Sequence, residues 1–371
     1  MPTNTETITY LDRIADELRN LERQELRRVV QQQSAFAEGS LLDFSSNDYL
    51  GLSQHPDVVA ALNDATRVGS GGSRLLAGAH NAHRLLEEDL ASFVGREKAL
   101  LFSSGYHAAL GAIGGLARVV ETGFSDQLNH ACLIDGLRLT KLTKTIYPHA
   151  TLPRMGEASK LVLTESLFGM EGDAIDVGAI ARSLRPDDVL LIDEAHALGI
   201  LGEFGGGLAH GIDDPRVVVI GTLSKAFGAH GGFVAGPRPV IEFLQTVART
   251  FIFDTALPPV LADAARIAVR LARTYDTQRA HLLRLAGDLR QRVRAIGFRV
   301  PDGLGPIVNM IVGDPRAALE LSRQLREAGV NAPAIRPPTV PNGTSRIRIT
   351  LRATHTESDV DHLVGALRRA L

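Results

Sequence analysis

The chain has 371 residues, 44% apolar and 22% charged, and its 40 basic and 42 acidic side chains leave a formal net charge of −2. That length allows two domains and a large core, and the near-neutral balance offers no positive field for nucleic acid or an anionic membrane. The single cysteine, Cys132, excludes an internal disulfide or a thiolate metal cluster and fits a cytoplasmic setting.

The opening "MPTNTETITYLDRIADEL" has no apolar core of the kind a secretory signal needs. Apolar runs elsewhere are of strand length, short of the ~20 residues that span a bilayer. Leu11, Ile14, Ala15, Leu18, Leu21 and Leu26 recur at helical spacing, which predicts a helix over residues 9–33 in an N-terminal arm, 1–38. Residues 39–275 then alternate helix and strand. "NAHRLLEEDLASFVG" predicts a helix capped by Asn81 and stopped by Gly95, followed by the strand "KALLF". "KLVLTES", "DVLLIDEAH", "RVVVIGT" and "GGFVAG" lack polar alternation, as strands buried on both faces do, and "DVGAIARSL" predicts a helix between two of them. The order implies an α/β domain around a mainly parallel sheet. "DTALPPV" and the helix after it lead to residues 276–371, where two helices, the strand "GPIVNMIVGD", an alternating strand in "SRIRITLRATHT" and a last helix predict a smaller α+β domain.

Several familiar motifs fail on their context. "DEAH", residues 193–196, ends a buried strand as a nucleotide motor's acidic motif would, but no lysine follows a glycine, so a phosphate-binding loop is missing. Neither G-x-G-x-x-G nor H-E-x-x-H occurs, and "HNAH" at 80–83 is a weak metal pair.

What remains is one lysine in an unusual place. Lys225 in "TLSKAFGAHGG" follows a strand and has small or apolar neighbours; Asp193 ends another strand 32 residues earlier. Ligands of such sheets bind outside the carboxyl ends of the strands, so both residues face one crevice. They could form a structural ion pair. They could also serve pyridoxal phosphate. Its aldehyde needs a neutral amine, which desolvation favours, and its ring nitrogen needs a carboxylate. Its phosphate needs hydroxyls and free N–H groups at a helix start. Thr222 and Ser224 beside Lys225, and the turn in "FSSGYHAALGAIGG", supply these groups. His130 in "DQLNHACLIDG" could stack a flat ring on such a cofactor or be an ordinary loop histidine.

Taken together, "DFSSNDYLGL", "GSGGSRLLAG", "LFSSGY", "DQLNHACLIDG", "TESLFGMEGD", "LLIDEAHALGILGEFGGG" and "TLSKAFGAHGG" resemble, in order, the α-oxoamine synthases, pyridoxal phosphate enzymes of fold type I. The resemblance runs from about residue 10 to the C-terminus. It implies that Lys225 binds the cofactor aldehyde, Asp193 pairs with the ring nitrogen, His196 meets the phenolic oxygen and His130 stacks on the ring and assists proton transfer. Gly105, Tyr106 and Thr222 match the phosphate site. Thr255 matches a residue that reaches the phosphate from a partner subunit, which implies a homodimer. Asn47 and Arg336 match amino-acid substrate contacts, and Thr339 and Arg27 match acyl-thioester contacts.

"AIRPPTVPNGTSRIRITLRATHT" is most similar to the branch that condenses L-alanine with pimeloyl-CoA, or pimeloyl-acyl carrier protein, in biotin biosynthesis. Branches that use glycine with acetyl-, succinyl- or fatty acyl-CoA, or a pyridoxal phosphate module without catalysis, are the alternatives. Three departures stand out. Gly169 occupies a usual serine position, which implies a missing polar contact; His107 is unusual and expected on a helix face; and "YPHATLPRMGEASKLVL" is short, with "HAT" where relatives commonly have "HND".

Overall fold

A computed structural model describes residues 9–28, 41–63, 66–151 and 156–370. The strands are β1 (Leu42–Asp43), β2 (Lys98–Phe102), β3 (Thr122–Asp126), β4 (Thr143–Tyr147), β5 (Lys160–Glu165), β6 (Val189–Asp193), β7 (Val217–Thr222), β8 (Gly232–Gly236), β9 (Ile307–Gly313), β10 (Val330–Asn331), β11 (Ala334–Ile335) and β12 (Ser345–Thr350). Seven of them form one sheet in the order β2-β8-β7-β6-β5-β3-β4. β7, β6, β5, β3 and β4 run parallel, and β8 is antiparallel to both its neighbours.

Period-two alternation splits the apolar side chains of this sheet between its faces. Leu161, Leu163, Leu191, Val218 and Ile220 pack with the helices Gly105–Leu116, Ala131–Arg138 and Arg238–Val247. Val162, Leu190, Ile192, Val217 and Val219 turn to the other face, against the helix Val177–Ser183. Helices cover both faces, so the strands read as unbroken apolar runs. Each wholly buried leucine or valine adds about 1.5–3 kcal/mol relative to exposure.

The helices Pro259–Arg273 and Asp276–Ala295 lead to a second layer, where β11, β12 and β9 form an antiparallel sheet. A continuous apolar core joins the two parts, from Phe44 and Leu86 to Leu289 and Ile349. β1 pairs in parallel with β10, so the chain before the large sheet is stitched to the C-terminal part.

Some local expectations change. The first helix spans Tyr10–Arg23 and ends where Glu25 adopts a positive φ of 56°; residues 29–33 of the expected helix lie outside the described residues. His80, not Asn81, caps the helix Asn81–Phe93, its N–H donating to His83 Nδ1 at 3.1 Å. β12 alternates in sequence, yet all six of its residues are buried, because the guanidinium groups of Arg346 and Arg348 find carbonyl partners inside the protein. Among the described residues, no helix is long and apolar enough to cross a membrane.

Candidate active site

The carboxyl ends of β5, β6 and β7 share one edge of the large sheet. Glu165 and Asp193 are register partners there, and Lys225 follows β7 by three residues. The end of β2 and the start of β8 meet at the same edge, where Phe102 and Thr222 both pair with Gly232. A Cβ on Gly232 would lie 2.3 Å from the Gly105 nitrogen, and one on Gly105 would lie 3.0 Å from Thr222 Cβ. Only glycines let the start of the helix Gly105–Leu116 settle this close to β7. Ser104 caps that helix, accepting from the His107 N–H at 3.1 Å. The Gly105 and Tyr106 N–H groups have no acceptor within the helix, and the Thr222 side chain lies against Gly105, which makes a cradle for an anion.

Lys225 Nζ lies 2.8 Å from His196 Nε2, and His196 Nδ1 lies 2.6 Å from the Tyr49 hydroxyl. Burial holds the Lys225 amine below its ordinary pKa, against the pull of the Asp193 and Glu165 carboxylates. Burial, then the charges of Lys225 and Arg348, hold His196 far below the usual imidazole range, so the ring is neutral. Asp193 Oδ1 accepts the Ala195 N–H at 2.8 Å, while among the described residues Oδ2 has only the distant thiol of Cys132, at 3.7 Å. One carboxylate oxygen is therefore left to a stronger donor.

His130 opens the helix Ala131–Arg138, and its ring Nδ1 accepts the Cys132 N–H at 3.3 Å. Its backbone N–H donates to Glu165 Oε1 at 2.7 Å, and the Gly169 N–H reaches the same carboxyl. Burial and then the Asp193 charge push Glu165 up to about 8. Glu165 thus ties together, from beneath, the two loops that carry His130 and Gly169. A cavity of about 540 Å³ opens between them, walled by His130, Glu165, Gly169, His196, Val340 and Thr339.

The other expected site residues are spread around this centre. Asn47 Oδ1 accepts from Arg348 Nη2 at 3.1 Å, and Arg348 Nε donates to the Gly169 carbonyl at 2.9 Å. Tyr106 lies at the cradle, its hydroxyl donating to Asp135 at 2.7 Å. Thr255 is exposed, beside Asp254. Arg336 Nη1 donates to the Glu25 carbonyl. Arg27 pairs with Glu22 at 3.2 Å, while its neighbour Arg28 donates to Thr339 Oγ1 at 3.2 Å.

His107 does more than occupy a helix face. Its Nδ1 lies 2.7 Å from Ser103 Oγ and 3.0 Å from Asp254 Oδ2, which clasps the cradle to the segment bearing Thr255. Sequence reading assigned no role to Tyr49, Glu165 or Arg348. Glu165 carried a usable signal, since "KLVLTE" and "VLLID" both end an apolar run in an acid.

Comparison with known proteins agrees with this geometry. The model of the family "Aminotransferase class I and II" matches residues 40–367. An 8-amino-7-oxononanoate synthase of Marinobacter nauticus is 44% identical over 93% of this chain and 92% of its own. A solved serine palmitoyltransferase of Sphingomonas wittichii is 29% identical, with a TM-score of 0.88 over 99% of this chain and 98% of that one. A second serine palmitoyltransferase structure, solved with pyridoxal phosphate, is 27% identical, with a TM-score of 0.87 over 98% of each chain. The chain belongs to the aminotransferase class I and II family and, within it, to the α-oxoamine synthases.

Proposed function

We propose that this protein is an acyltransferase of biotin biosynthesis, joining L-alanine to a pimeloyl thioester, with loss of CO2, to give 8-amino-7-oxononanoate and the free thiol. The observation that carries this is a buried lysine amine, held below its ordinary pKa by burial, that lies 2.8 Å from His196 beside a cavity walled by His130, Thr339 and Val340. The name of the Marinobacter relative selects this reaction over the glycine- and serine-using branches.

The residues fit pyridoxal phosphate. A half-satisfied buried carboxylate, a depressed lysine and an anion cradle lie at one sheet edge, and two of its contacts require glycine. Asp193 would hold the ring nitrogen, Thr222 and the Gly105–Tyr106 turn the phosphate, and His130 one face of the ring. When bound, the cofactor draws electrons from the amino-acid Cα and so makes its proton removable.

Each protein group then has a task. With cofactor and amino acid bound, the free amine of Lys225 would be the base for the Cα proton. His130 caps the reacting centre, and its backbone tie to Glu165 fixes the ring. Arg336 and Asn47 receive the alanine carboxylate, while Arg27 and Thr339 serve the acyl side. The alanine Cα bonds to the thioester carbonyl carbon and the thiol leaves with the C–S bonding pair; CO2 then departs, the pair of the broken C–C bond stays on Cα, and Cα takes up a proton.

The enzyme works as a cytoplasmic homodimer in this reading, with Thr255 reaching the partner's phosphate. Exposed apolar side chains support an interface there. Leu76 is 85% and Phe253 70% exposed, and the Ala256 N–H to Gly72 carbonyl bond joins their segments. Light scattering after size exclusion tests the dimer. Mass spectrometry tests the chemistry, with alanine and glycine each paired against pimeloyl-, acetyl-, succinyl- and palmitoyl-CoA. A product from glycine pairs alone would refute the assignment.

A further inference from the structure

Tyr49 is wholly buried, yet its hydroxyl does not lie idle in the core. It sits 2.6 Å from His196 Nδ1 and 3.3 Å from Asn47 Oδ1, and His196 Nε2 sits 2.8 Å from Lys225 Nζ. A phenol has one proton to donate, and a neutral imidazole has one N–H. Hydroxyl donors make bonds of roughly 2.5–3.0 Å to oxygen, and ring N–H donors roughly 2.7–3.2 Å. The 2.6 Å contact to Nδ1 is much the shorter of the hydroxyl's two, Asn47 Oδ1 standing 3.3 Å away and also accepting from Arg348, so the phenol proton is assigned to Nδ1. With Nδ1 accepting, the imidazole proton resides on Nε2 and points at Lys225. Only a neutral amine can accept it; an ammonium group would meet it proton to proton.

A second observation concerns the position of the ring. A Cβ built on Gly169 would lie 2.2 Å from His196 Nε2 and 2.8 Å from two ring carbons. His196 therefore occupies the space that any side chain at 169 would fill. The glycine that reads as a gap in the polar shell is what admits the imidazole to the lysine.

We propose that Tyr49 is a positioning residue for Lys225: its hydroxyl selects the His196 tautomer that directs a proton at Nζ, and Gly169 leaves the room this ring placement needs. The inference rests on Lys225 being the cofactor amine. Charged and titratable groups facing the pair come from several elements: Asp193 on β6, Glu165 on β5, Arg348 on β12, and His130 and Cys132 on the loop and helix after β3. Tyr49→Phe leaves all of them in place, so they affect the wild type and the variant alike.

The test is the rate at which the cofactor-free, full-length protein captures added pyridoxal phosphate, followed by visible absorbance across pH. Capture requires the neutral amine, so its pH midpoint reports Lys225 directly. Losing one buried hydrogen bond of about 1–1.5 kcal/mol moves such a midpoint by about one pH unit. Tyr49→Phe should raise it by that amount, with capture near pH 7 slowed about tenfold and restored at high pH. Gly169→Ala, which pushes the ring away, should raise it likewise and decides the matter if Tyr49→Phe does not fold. A merely structural role would slow capture at every pH without moving the midpoint, and an unmoved midpoint in either folded variant overturns the proposal. A wild type that captures no cofactor at any pH, or that is not bleached by borohydride afterwards, refutes the Lys225 reading itself and takes the proposal down with it.

Discussion

His149 provides a stability experiment whose sign and size follow from its surroundings. Its Nδ1 lies 3.1 Å and 3.2 Å from the two oxygens of Asp126, and its Nε2 lies 2.9 Å from Asp173 Oδ2. Asp126 ends β3 just before the His130 loop, and Asp173 closes the Gly169 loop, so one imidazolium clamps both walls of the cavity. Burial alone would lower its pKa, but the two carboxylates outweigh that and raise it from 6.5 to about 10. A raised pKa stabilises the fold fully below pH 6.5 and loses that contribution as pH rises through the folded value.

The full interval of about 3.5 pH units corresponds to an upper bound of roughly 5 kcal/mol. Asp126 is buried but the Asp173 side chain is 36% exposed, so solvent screening reduces this to about 3 kcal/mol at pH 7. One linked proton then removes about 1.4 kcal/mol per pH unit. Urea unfolding of wild type and His149→Gln at pH 7, 8 and 9 should show a gap of about 3 kcal/mol at pH 7 that closes to under about 1 kcal/mol by pH 9. A gap that stays constant over that range would mean His149 is neutral in the folded protein, and the clamp argument would fail.

Other outcomes follow from single contacts. Thr222→Val keeps the strand but deletes the cradle hydroxyl that now bonds Ser224 at 2.8 Å, so pyridoxal phosphate should dissociate about tenfold more readily by equilibrium dialysis, with little change in melting temperature. Arg348→Met leaves the Gly169 carbonyl and Asn47 without their buried donor; thermal unfolding should show a loss of about 3 kcal/mol, against a negligible effect if that guanidinium were solvated. His107→Ala removes the imidazole that bridges Ser103 and Asp254, leaving only their direct hydrogen bond, and should weaken cofactor retention several-fold while leaving the far-ultraviolet circular dichroism intact.

Much of the large domain was legible because β5, β6 and β7 are apolar on both faces and each ends in a polar residue at the site. β3 and β4 were not. "TGFSD" carries glycine, serine and aspartate in a buried strand, and "TKTIY" is an edge strand with four of five residues exposed, so neither shows the unbroken apolar run that marks its neighbours. Lys225 and Asp193 could be paired from strand-end position alone, and the structure places Glu165 in register with Asp193. The partners that tune them came from distant chain segments: Tyr49 before the large sheet, Arg348 in the C-terminal one. No spacing rule links residues 49, 196 and 225. Gly169 shows the limit most clearly, since a missing side chain suggested a lost contact and the fold fills the space with His196.

The most direct measurement replaces Lys225 with alanine and follows the reaction of L-alanine with pimeloyl-CoA by mass spectrometry, beside circular dichroism of the same sample. The assignment of Lys225 as the cofactor amine predicts a native spectrum and a loss of at least about a thousandfold in 8-amino-7-oxononanoate formation relative to wild type, as expected when the attacking amine and proton acceptor are one group. Wild-type rates of that product from the folded Lys225→Ala variant would contradict it.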